Sequence, residues 1–248
     1  MAQAITKFDP QDPPPKSAVQ LYDMIAEECG CSDPFEQAKK QSTRQALELY
    51  NELKKDIQQA PDPLERAIRY SACGNVIDFG VASSYDLMAE LKAILNKPFA
   101  IWDFKHFKRE LQKSDWLLYL GDNAGESVFD RLLIETLPLP VTFVVRGGPI
   151  INDVTMDDAI EAGLDKVASL ISSGCRAPGI ILEWCSRDFI KLFNSAPLII
   201  SKGQGNYETL TEQNRPIFYL LKAKCNVVSR HLNCKTGDMI FAAASRIN

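Results

Sequence analysis

The sequence is poor in several features on which common classes of protein depend. Only two histidines, His106 and His231, occur among its 248 residues, so zinc sites built on histidine and Ser-His-Asp hydrolases are both poorly supplied. No apolar run approaches the roughly 20 residues of a membrane-spanning helix, and we expect no membrane partner. The start of the chain lacks the charged residues and apolar core of a signal peptide, which favours a cytoplasmic protein.

Basic charge and closely spaced cysteines are scarce as well. The formal net charge is −4 and the basic residues are scattered, so no nucleic-acid partner is expected. The seven cysteines are an odd number, and Cys29 and Cys31 have no second pair at the spacing of a structural zinc site. We therefore expect free, buried thiols instead of a metal–thiolate cluster.

The first part of the chain has a helical pattern. Residues 1–16 are polar and proline-rich and predict an arm. Residues 17–98 carry apolar side chains at helical spacing, with helix starts indicated by Asp33-Pro34 and Asp62-Pro63. Because no strand pattern of any strength occurs there, we predict an all-helical N-terminal subdomain over residues 17–98.

The pattern changes in residues 99–248. Short apolar runs at residues 116–120, 141–145, 167–171, 198–201 and 217–221 alternate with helical patterns, and residues 239–242 predict a final strand at the edge of the sheet. Strands that alternate with helices predict a mostly parallel sheet. The expected fold class is therefore α/β: a three-layer α/β/α domain that carries the functional site, joined to the helical subdomain.

The most informative segment is the loop at residues 121–126, Gly-Asp-Asn-Ala-Gly-Glu, which directly follows a buried apolar run. Loops at the carboxyl ends of parallel strands are where open α/β sheets place their ligands. Asp122 and Asn123 offer the hard oxygen ligands that suit Mg²⁺ or Mn²⁺ better than zinc. Either residue also suits the cap of the following helix, so this loop alone does not establish a metal site.

Two further polar clusters follow apolar runs and share the same predicted sheet edge. Each cluster alone has the composition of an ordinary turn or helix cap. Together with the first loop they supply carboxylates, an amide, a lysine and exposed backbone N–H groups, which fits a metal-bridged phosphate. The clusters consist of Arg146, Gly147, Gly148, Asn152 and Asp153, and of Lys202, Gly203, Gln204, Gly205 and Asn206.

An earlier segment, Gly-Asn-Val-Ile-Asp-Phe-Gly at residues 74–80, places Asn75 and Asp78 three residues apart. On a helical turn the two side chains would share one face. The segment is readable either as a helix end stopped by Gly80 or as a contribution of polar groups from the helical subdomain to the site.

Four motifs, taken in order along the chain, resemble one known family. This set resembles the family first called domain of unknown function 89, now described as metal-dependent damage-control phosphatases. Its last motif resembles the compact prokaryotic, most often archaeal, branch. The motifs are Gly-Asn-Val-Ile-Asp-Phe-Gly at residues 74–80, Gly-Asp-Asn-Ala-Gly-Glu-x-x-Phe-Asp at 121–130, Val-Arg-Gly-Gly-Pro-Ile-x-Asn-Asp-Val-Thr at 145–155, and Lys-Gly-Gln-Gly-Asn-Tyr-Glu-Thr-Leu at 202–210.

The resemblance implies a helical N-terminal subdomain on an α/β/α domain, and a divalent metal held by Asp122, Asn123 and Asp153. It also implies that Lys202 contacts the phosphate of the substrate. The family hydrolyses small phosphate esters, including sugar phosphates and damaged phosphometabolites, so we expect a small phosphorylated metabolite as the partner. The residues expected to bind substrate are Lys202, Gly203, Gln204, Asn206, Arg146, Asn75 and Asp78.

These expectations combine into metal-assisted hydrolysis of phosphate monoesters. Asp122, Asp153, Lys202 and Glu126 are the predicted catalytic residues, with Glu126 or Asp78 as the general base. Oxygen ligands accept Mg²⁺, Mn²⁺, Co²⁺ or Ni²⁺, so the identity of the metal stays open. The choice between water and an aspartate carboxylate as the nucleophile also stays open.

Two other functions remain as alternatives. An S-adenosylmethionine-dependent carboxyl methyltransferase would need a glycine-rich loop after the first strand, and residues 121–126 are a poor version of one. A non-catalytic protein that uses a metal to hold a phosphorylated metabolite would need the same donors as the enzyme. Turnover of a generic phosphate ester separates these alternatives from the phosphatase.

Overall fold

The computed structural model describes residues 12–74, 91 and 94–247. The predicted site residues Asn75 and Asp78 lie outside the described residues. The α-helices are α1 (Pro14–Cys29), α2 (Glu36–Gln59), α3 (Pro63–Cys73), α4 (Phe104–Leu111), α5 (Ser127–Ile134), α6 (Met156–Glu161), α7 (Arg187–Ser195), α8 (Gln204–Leu210), α9 (Asn226–His231) and α10 (Ala244–Ile247). The strands are β1 (Ile101–Trp102), β2 (Leu117–Leu120), β3 (Val141–Val145), β4 (Ser169–Ser172), β5 (Ile199–Lys202), β6 (Ile217–Lys222) and β7 (Met239–Ala243).

These strands form one mixed, mostly parallel sheet in the order β1-β7-β6-β5-β2-β3-β4. Strands β6, β5, β2, β3 and β4 run parallel to one another, whereas β7 is antiparallel to β6 and β1 is parallel to β7. The predicted α/β class is confirmed. The predicted edge position of the last strand is wrong, because Ile101 of β1 pairs with Ile240 outside it.

Both faces of the sheet are buried, which explains why its central strands are apolar without interruption. Along β2, Leu117 and Tyr119 pack into the core on one face, and Leu118 and Leu120 pack into the core on the other. Helices α2 to α6 contribute to the first core, and α7 to α10 contribute to the second. The arrangement is a three-layer sandwich.

The described N-terminal helices α2 and α3 share their core with the sheet. Helices α2 and α3 both pack on α5, and their buried side chains, such as Leu53 and Ile68, belong to the same core as Phe143 of β3. Helix α1 instead contacts α8, on the opposite side of the sheet, and begins at Pro14, inside the predicted arm. The predicted domain boundaries at residues 16 and 98 therefore stay a prediction.

Two local expectations near the N-terminus have different outcomes. Helix α3 begins as predicted, with the Asp62 side chain accepting the backbone N–H of Glu65 and Pro63 in the first turn. Helix α2 begins at Glu36, slightly later than its predicted start. Asp33 caps no helical N–H there; its side chain accepts the N–H of Phe35 and forms an ion pair with Lys39.

The cysteines and the helix lengths bear on two further expectations. All seven cysteines are free, and Cys73 and Cys175 are buried as predicted, but Cys29 and Cys31 are exposed at the end of α1. Cys185, Cys225 and Cys234 are partly buried, so the prediction of buried thiols holds fully only for Cys73 and Cys175 and is wrong for Cys29 and Cys31. In the described part of the chain, no helix is long and apolar enough to cross a membrane.

The topology creates a crevice between β2 and β5. From β2 the chain continues outward to β3 and β4, and from β5 it continues in the opposite direction to β6. Open α/β sheets bind ligands at such a switch point, outside the carboxyl ends of the strands. The loops at this position begin with Gly121 after β2 and with Gly203 after β5.

Candidate active site

Backbone hydrogen bonds join the two loops that carry the predicted carboxylates. The N–H of Val154 donates to the carbonyl of Asp122 over 2.7 Å, and the N–H of Ala124 donates to the carbonyl of Asn152 over 2.8 Å. Asn123 and Asp153 consequently face each other as an isolated antiparallel bridge. Residues 30 positions apart in sequence are thus held together by the backbone itself.

The Asp122 carboxylate lies directly against the backbone of Gly203. A Cβ added to Gly203 would lie 1.9 Å from Oδ2 of Asp122, and Gly203 has a φ of +78°. Asp122 is buried, and burial, together with the charges of Glu126 and Asp153, raises the pKa of its carboxyl group well above the usual value. A bound cation would offset the negative charge of these neighbouring buried carboxylates.

Arg146 connects both aspartates. Its Nε donates to Oδ2 of Asp153 over 2.6 Å, and its Nη2 lies 3.6 Å from Oδ1 of Asp122. Burial raises the pKa of Asp153, and the neighbouring guanidinium offsets this only in part. Neither Nη1 nor Nη2 of Arg146 makes a hydrogen bond to any described residue, although both are buried. Arg146 therefore has donors available for a ligand oxygen.

Lys202, at the end of β5, is enclosed by acceptors. Its ammonium donates to Oδ1 of Asp130 over 2.6 Å, to Oε2 of Glu126 over 2.9 Å and to the carbonyl of Ser71 over 3.1 Å. Burial alone would lower the pKa of Lys202, but the charges of Asp130 and Glu126 outweigh it and raise that pKa. The lysine is therefore a buried cation with three partners.

Glu126 links this lysine to the predicted metal ligands. One oxygen accepts from Lys202, and the other accepts the amide N–H of Asn123 over 2.7 Å. Gly74, at the end of α3, lies close to Glu126, since a Cβ added there would be 3.0 Å from Cγ of Glu126. The helical layer thus reaches the site at the residue that directly precedes the undescribed Asn75.

Asp130 was not among the residues predicted from the sequence. It is fully buried on α5, and its Oδ1 accepts hydrogen bonds from Lys202, from Ser71 Oγ over 2.6 Å and from Tyr119 OH over 2.7 Å. Two signals pointed to it: an acidic residue among the apolar side chains of a helix, and the spacing of four from Glu126, which places both on one helix face.

The other predicted binding residues have different positions. Asn206 is buried, and its Nδ2 donates to the carbonyls of Gly121 and Lys202, so it ties the two crevice loops together. Its Oδ1 has no hydrogen-bond partner among the described residues. The Gln204 side chain is directed elsewhere, since it binds Glu208 and the backbone N–H of Lys224.

The residues around the crevice fit a hard divalent cation. Asp122, Asn123 and Asp153 present two carboxylates and an amide from two joined loops, and oxygen donors of this kind suit Mg²⁺ or Mn²⁺. The amide nitrogen of Asn123 is committed to Glu126, so its carbonyl oxygen is the atom suited to a metal. Within the described residues, no three His, Cys, Asp or Glu side chains form a metal-binding group by themselves.

The fold and the crevice first define a class: a doubly wound α/β protein whose switch point gathers two carboxylates, an amide, an arginine and a lysine. The sequence identifies the family within that class. Over residues 1–240 it matches the family described as the damage-control phosphatase ARMT1-like domain. The chain belongs to this family, and the resemblance inferred from the motifs is confirmed.

Curated archaeal proteins are similar over most of their length. Damage-control phosphatase PH1575 of Pyrococcus horikoshii is 40% identical over 228 residues, covering 90% of this chain and 77% of that protein. A protein of Archaeoglobus fulgidus named damage-control phosphatase is 34% identical over 232 residues, covering 90% of this chain and 80% of the relative. These names support a phosphatase role for the chain.

A solved structure shows the same fold. It is described as the crystal structure of a DUF89 family protein from Pyrococcus horikoshii, and it matches with a TM-score of 0.90 and 35% sequence identity. The match covers 98% of this chain and 87% of that one. The arrangement of sheet and helices is therefore shared with this family member as a whole.

Proposed function

We propose that the chain is a metal-dependent phosphatase that hydrolyses small phosphate monoesters, such as sugar phosphates or damaged phosphometabolites. The observation that carries the proposal is the juxtaposition of Asp122, Asp153 and Arg146. Two buried carboxylates with raised pKa values adjoin a buried guanidinium whose Nη1 and Nη2 have no described hydrogen-bond partner. Such a site suits a cation and a phosphate bound side by side.

The metal would be held by Asp122, Asn123 and Asp153. A divalent cation bound there would polarise a phosphoryl oxygen and lower the pKa of a coordinated water. Mg²⁺, Mn²⁺, Co²⁺ and Ni²⁺ all accept these oxygen donors. The Asn123–Glu126 hydrogen bond fixes the amide, and the bridge to Asp153 fixes the distance between the two loops.

The protein groups around this position would bind and orient the phosphate. Arg146 can donate Nη1 and Nη2 to two phosphoryl oxygens while Nε remains on Asp153. The N–H of Gly203 itself donates to the carbonyl of Leu220 over 3.1 Å, so the backbone donors proposed for the phosphate are N–H groups of the residues that follow Gly203 at the start of α8. Donors fixed in place before the reaction stabilise charge as it develops on the phosphoryl group.

In this proposal Glu126 is the general base. It is buried beside Asn123, and its Oε2 is occupied by Lys202. A general base must lie within hydrogen-bond reach of the proton that it takes, and Glu126 adjoins a proposed metal ligand directly. The role of base and the role of Lys202 as a phosphate contact are both part of the proposal.

The test is hydrolysis of para-nitrophenyl phosphate by chelator-treated protein, with Mg²⁺, Mn²⁺, Co²⁺, Ni²⁺ or Zn²⁺ restored singly. We expect turnover that requires added metal. Asp122→Asn and Asp153→Asn should lose turnover and metal affinity together, by about 100-fold or more, since each removes a charged ligand. The matched control is Asp188→Asn, because Asp188 is an exposed carboxylate whose described charged partner is Lys191.

The same experiment separates the phosphatase from its alternatives. The protein could bind the metal but hydrolyse neither this ester nor any of a panel of sugar phosphates and nucleotides. That result would contradict the proposal and favour a binding protein. Methyl transfer from S-adenosylmethionine to a carboxylate would favour the methyltransferase. Full activity in Asp122→Asn or Asp153→Asn, with unchanged metal affinity, would overturn the assigned ligands.

A further inference from the structure

The ammonium of Lys202 has no donor left for a substrate. A lysine has three N–H donors, and here they match three acceptors: Ser71 O, Glu126 Oε2 and Asp130 Oδ1. Lys202 is 1% exposed. If Lys202 contacts the phosphate, as the proposed function requires, one of these three acceptors must give up its hydrogen bond when the phosphate binds.

The two carboxylates that accept from Lys202 differ in the other hydrogen bonds that the same oxygen accepts. Oδ1 of Asp130 accepts from three donors, namely Lys202, Ser71 Oγ and Tyr119 OH, and these donors lie on β5, α3 and β2. Oε2 of Glu126 accepts a hydrogen bond from Lys202. Moving Asp130 would break hydrogen bonds to three elements of the fold, whereas moving Oε2 of Glu126 would release the lysine.

The positions of the two residues relative to α5 agree with this difference. Both carboxylates are fully buried, but Asp130 lies within the helix between Phe129 and Arg131, where α5 packs against α3. Glu126 precedes the first residue of the helix and directly follows the crevice loop. Its other oxygen binds Asn123, so Glu126 lies at the boundary between the core and the proposed metal site.

We infer that Asp130 is the fixed counterion that positions Lys202, and that Glu126 is the counterion that a phosphoryl oxygen of the substrate replaces. The inference rests on the proposed function. Lys202 keeps three acceptors throughout the exchange, so it neither gains nor loses a proton. The exchange frees Oε2 of Glu126 at the moment when the phosphate is bound, and it thereby supplies a carboxylate oxygen beside the metal ligands only when substrate is present.

The two counterions can be distinguished by neutralising each in turn. Both Glu126→Gln and Asp130→Asn remove one negative charge from the hydrogen-bonding partners of Lys202. In Glu126→Gln the amide oxygen can keep accepting from Asn123, and this turns the NH2 group, which cannot accept, toward Lys202. The variant thereby removes the acceptor that competes with phosphate, so phosphate should bind about 10-fold more tightly, the change that one charge-assisted hydrogen bond produces. Asp130→Asn should weaken phosphate binding about 10-fold, because Lys202 loses the group that positions it.

The reason for the second expectation lies at the other oxygen of Asp130. Oδ2 is buried and has no hydrogen-bond partner among the described residues. An asparagine amide at this position can therefore adopt two orientations, and each leaves one group without a suitable partner. It either buries an N–H without an acceptor at that point, or turns its nitrogen toward the donors that Oδ1 now serves. Both outcomes disrupt the cluster around Lys202.

The measurement is calorimetric titration of inorganic phosphate into each protein, saturated with the metal that supports the highest turnover. This readout does not depend on residual activity. Tyr119→Phe is the milder second variant: it removes one of the donors to Asp130 Oδ1 and should weaken phosphate binding by less than Asp130→Asn. The affinity for the metal should not change in Asp130→Asn or Tyr119→Phe, since neither contacts Asn123.

Glu135→Gln is the matched control. Glu135 directly follows α5, and it accepts from a tyrosine hydroxyl, that of Tyr50, and pairs with a lysine, Lys54, as Asp130 does with Tyr119 and Lys202. The partners of Glu135 in the described part of the chain, Tyr50, Lys54 and Arg131, lie on α2 and α5 and are not crevice residues. We expect unchanged phosphate affinity in this variant. Thermal melting of every variant, with and without phosphate, separates loss of fold from loss of binding.

The outcomes distinguish the inference from the proposed function. Equal tightening in Glu126→Gln and Asp130→Asn would show a simple effect of charge and overturn the inference. The inference would also be overturned if Glu126→Gln failed to tighten phosphate binding, or if Glu135→Gln weakened phosphate binding as much as Asp130→Asn. By contrast, a wild-type protein that binds phosphate but hydrolyses no ester with any metal would contradict the proposed function, while leaving the exchange of counterions testable by the same titrations.

Discussion

Gly203 and Asp122 approach so closely that no other residue fits between the two crevice loops. The Cβ of an alanine at position 203 would lie 1.9 Å from Oδ2 of Asp122, far inside van der Waals contact. The backbone of Gly203, with φ of +78° and ψ of 163°, is also in a region that is essentially restricted to glycine. Two separate constraints therefore require glycine here.

Gly203→Ala should consequently displace the Asp122 carboxylate. We expect a loss of turnover and of metal affinity of about 10-fold or more, and a loss of stability of about 1–3 kcal/mol from the strained backbone. The control is Gly237→Ala, because Gly237 also has positive φ but no atom within 4 Å of an added Cβ. The measurement is steady-state kinetics at varied metal concentration. Equal loss of activity in both variants would contradict the claim that Gly203 holds Asp122 in place.

The second prediction concerns the shape of the Arg146 side chain. Arg146→Lys keeps the positive charge but cannot bind Asp153 through one nitrogen and present two further nitrogens to a phosphate. We expect KM for a phosphate ester to rise by about 10-fold or more, with a smaller effect on kcat. The measurement is steady-state kinetics at saturating metal.

Arg176→Lys serves as its control. Arg176 lies on a neighbouring loop, donates to the carbonyl of Pro149 and pairs with Asp23 of α1. Its replacement should leave KM unchanged. Identical kinetics in Arg146→Lys and the wild type would mean that the fork geometry of Arg146 plays no part in binding the substrate.

Prediction from the sequence succeeded where a single pattern determines the structure. The strands β2 and β3 are apolar because both faces of the sheet are buried, so their runs mark them with little ambiguity. Asp122, Asp153 and Arg146 could be grouped because the carboxyl ends of parallel strands share one edge. Strand β1 was missed because its two residues, Ile101 and Trp102, are too few to display any periodicity.

The counterions of Lys202 could not be predicted in the same way. Ser71 and Asp130 are 59 residues apart, and only the packing of α3 on α5 brings them together. Lys202 could be assigned to the site from its motif. The acidic residues at positions 126 and 130 are visible in the sequence, but their contact with Lys202 could not be predicted, because it depends on how α5 is oriented across the sheet.

The third prediction concerns a buried ion pair outside the site. Lys39 of α2 is 2% exposed, and its ammonium lies 2.7 Å from Asp158 and 2.7 Å from Asp33. Asp158 also accepts hydrogen bonds from Thr155 at the start of α6. Lys39→Met would leave two carboxylates without their cation, so we expect a loss of about 3 kcal/mol in the free energy of unfolding.

Urea denaturation would measure this loss. Lys40→Met is the matched control, because Lys40 is the next residue of α2 and forms an exposed pair with Glu36. That change should have little effect on stability. Equal midpoints for the two variants would show that the Lys39 cluster contributes no more than a surface ion pair.

The last prediction is the pH dependence of the Glu135 cluster. Burial alone would raise the pKa of Glu135, but the contacts with Lys54, Tyr50 and Arg131 outweigh it and lower the pKa below 4.5. A carboxylate whose pKa is lower in the folded state contributes stability above its unfolded-state pKa and loses that contribution as pH falls through the folded value. Glu135→Gln should therefore reduce the free energy of unfolding by about 1 kcal/mol at neutral pH.

This difference between wild type and Glu135→Gln should be complete above the unfolded-state pKa of a glutamate, about 4.3. It should shrink as the pH falls from there through the lowered folded-state pKa, because the wild-type carboxylate is then protonated in both states. Urea denaturation at a series of pH values from neutrality to well below the unfolded-state pKa tests the sign. Glu183→Gln, at an exposed position, supplies the comparison for a surface carboxylate. A difference that stays constant, or that grows as the pH falls, would mean that the Glu135 charge does not stabilise the fold through Lys54 and Tyr50, and that the side chain acts there by packing alone.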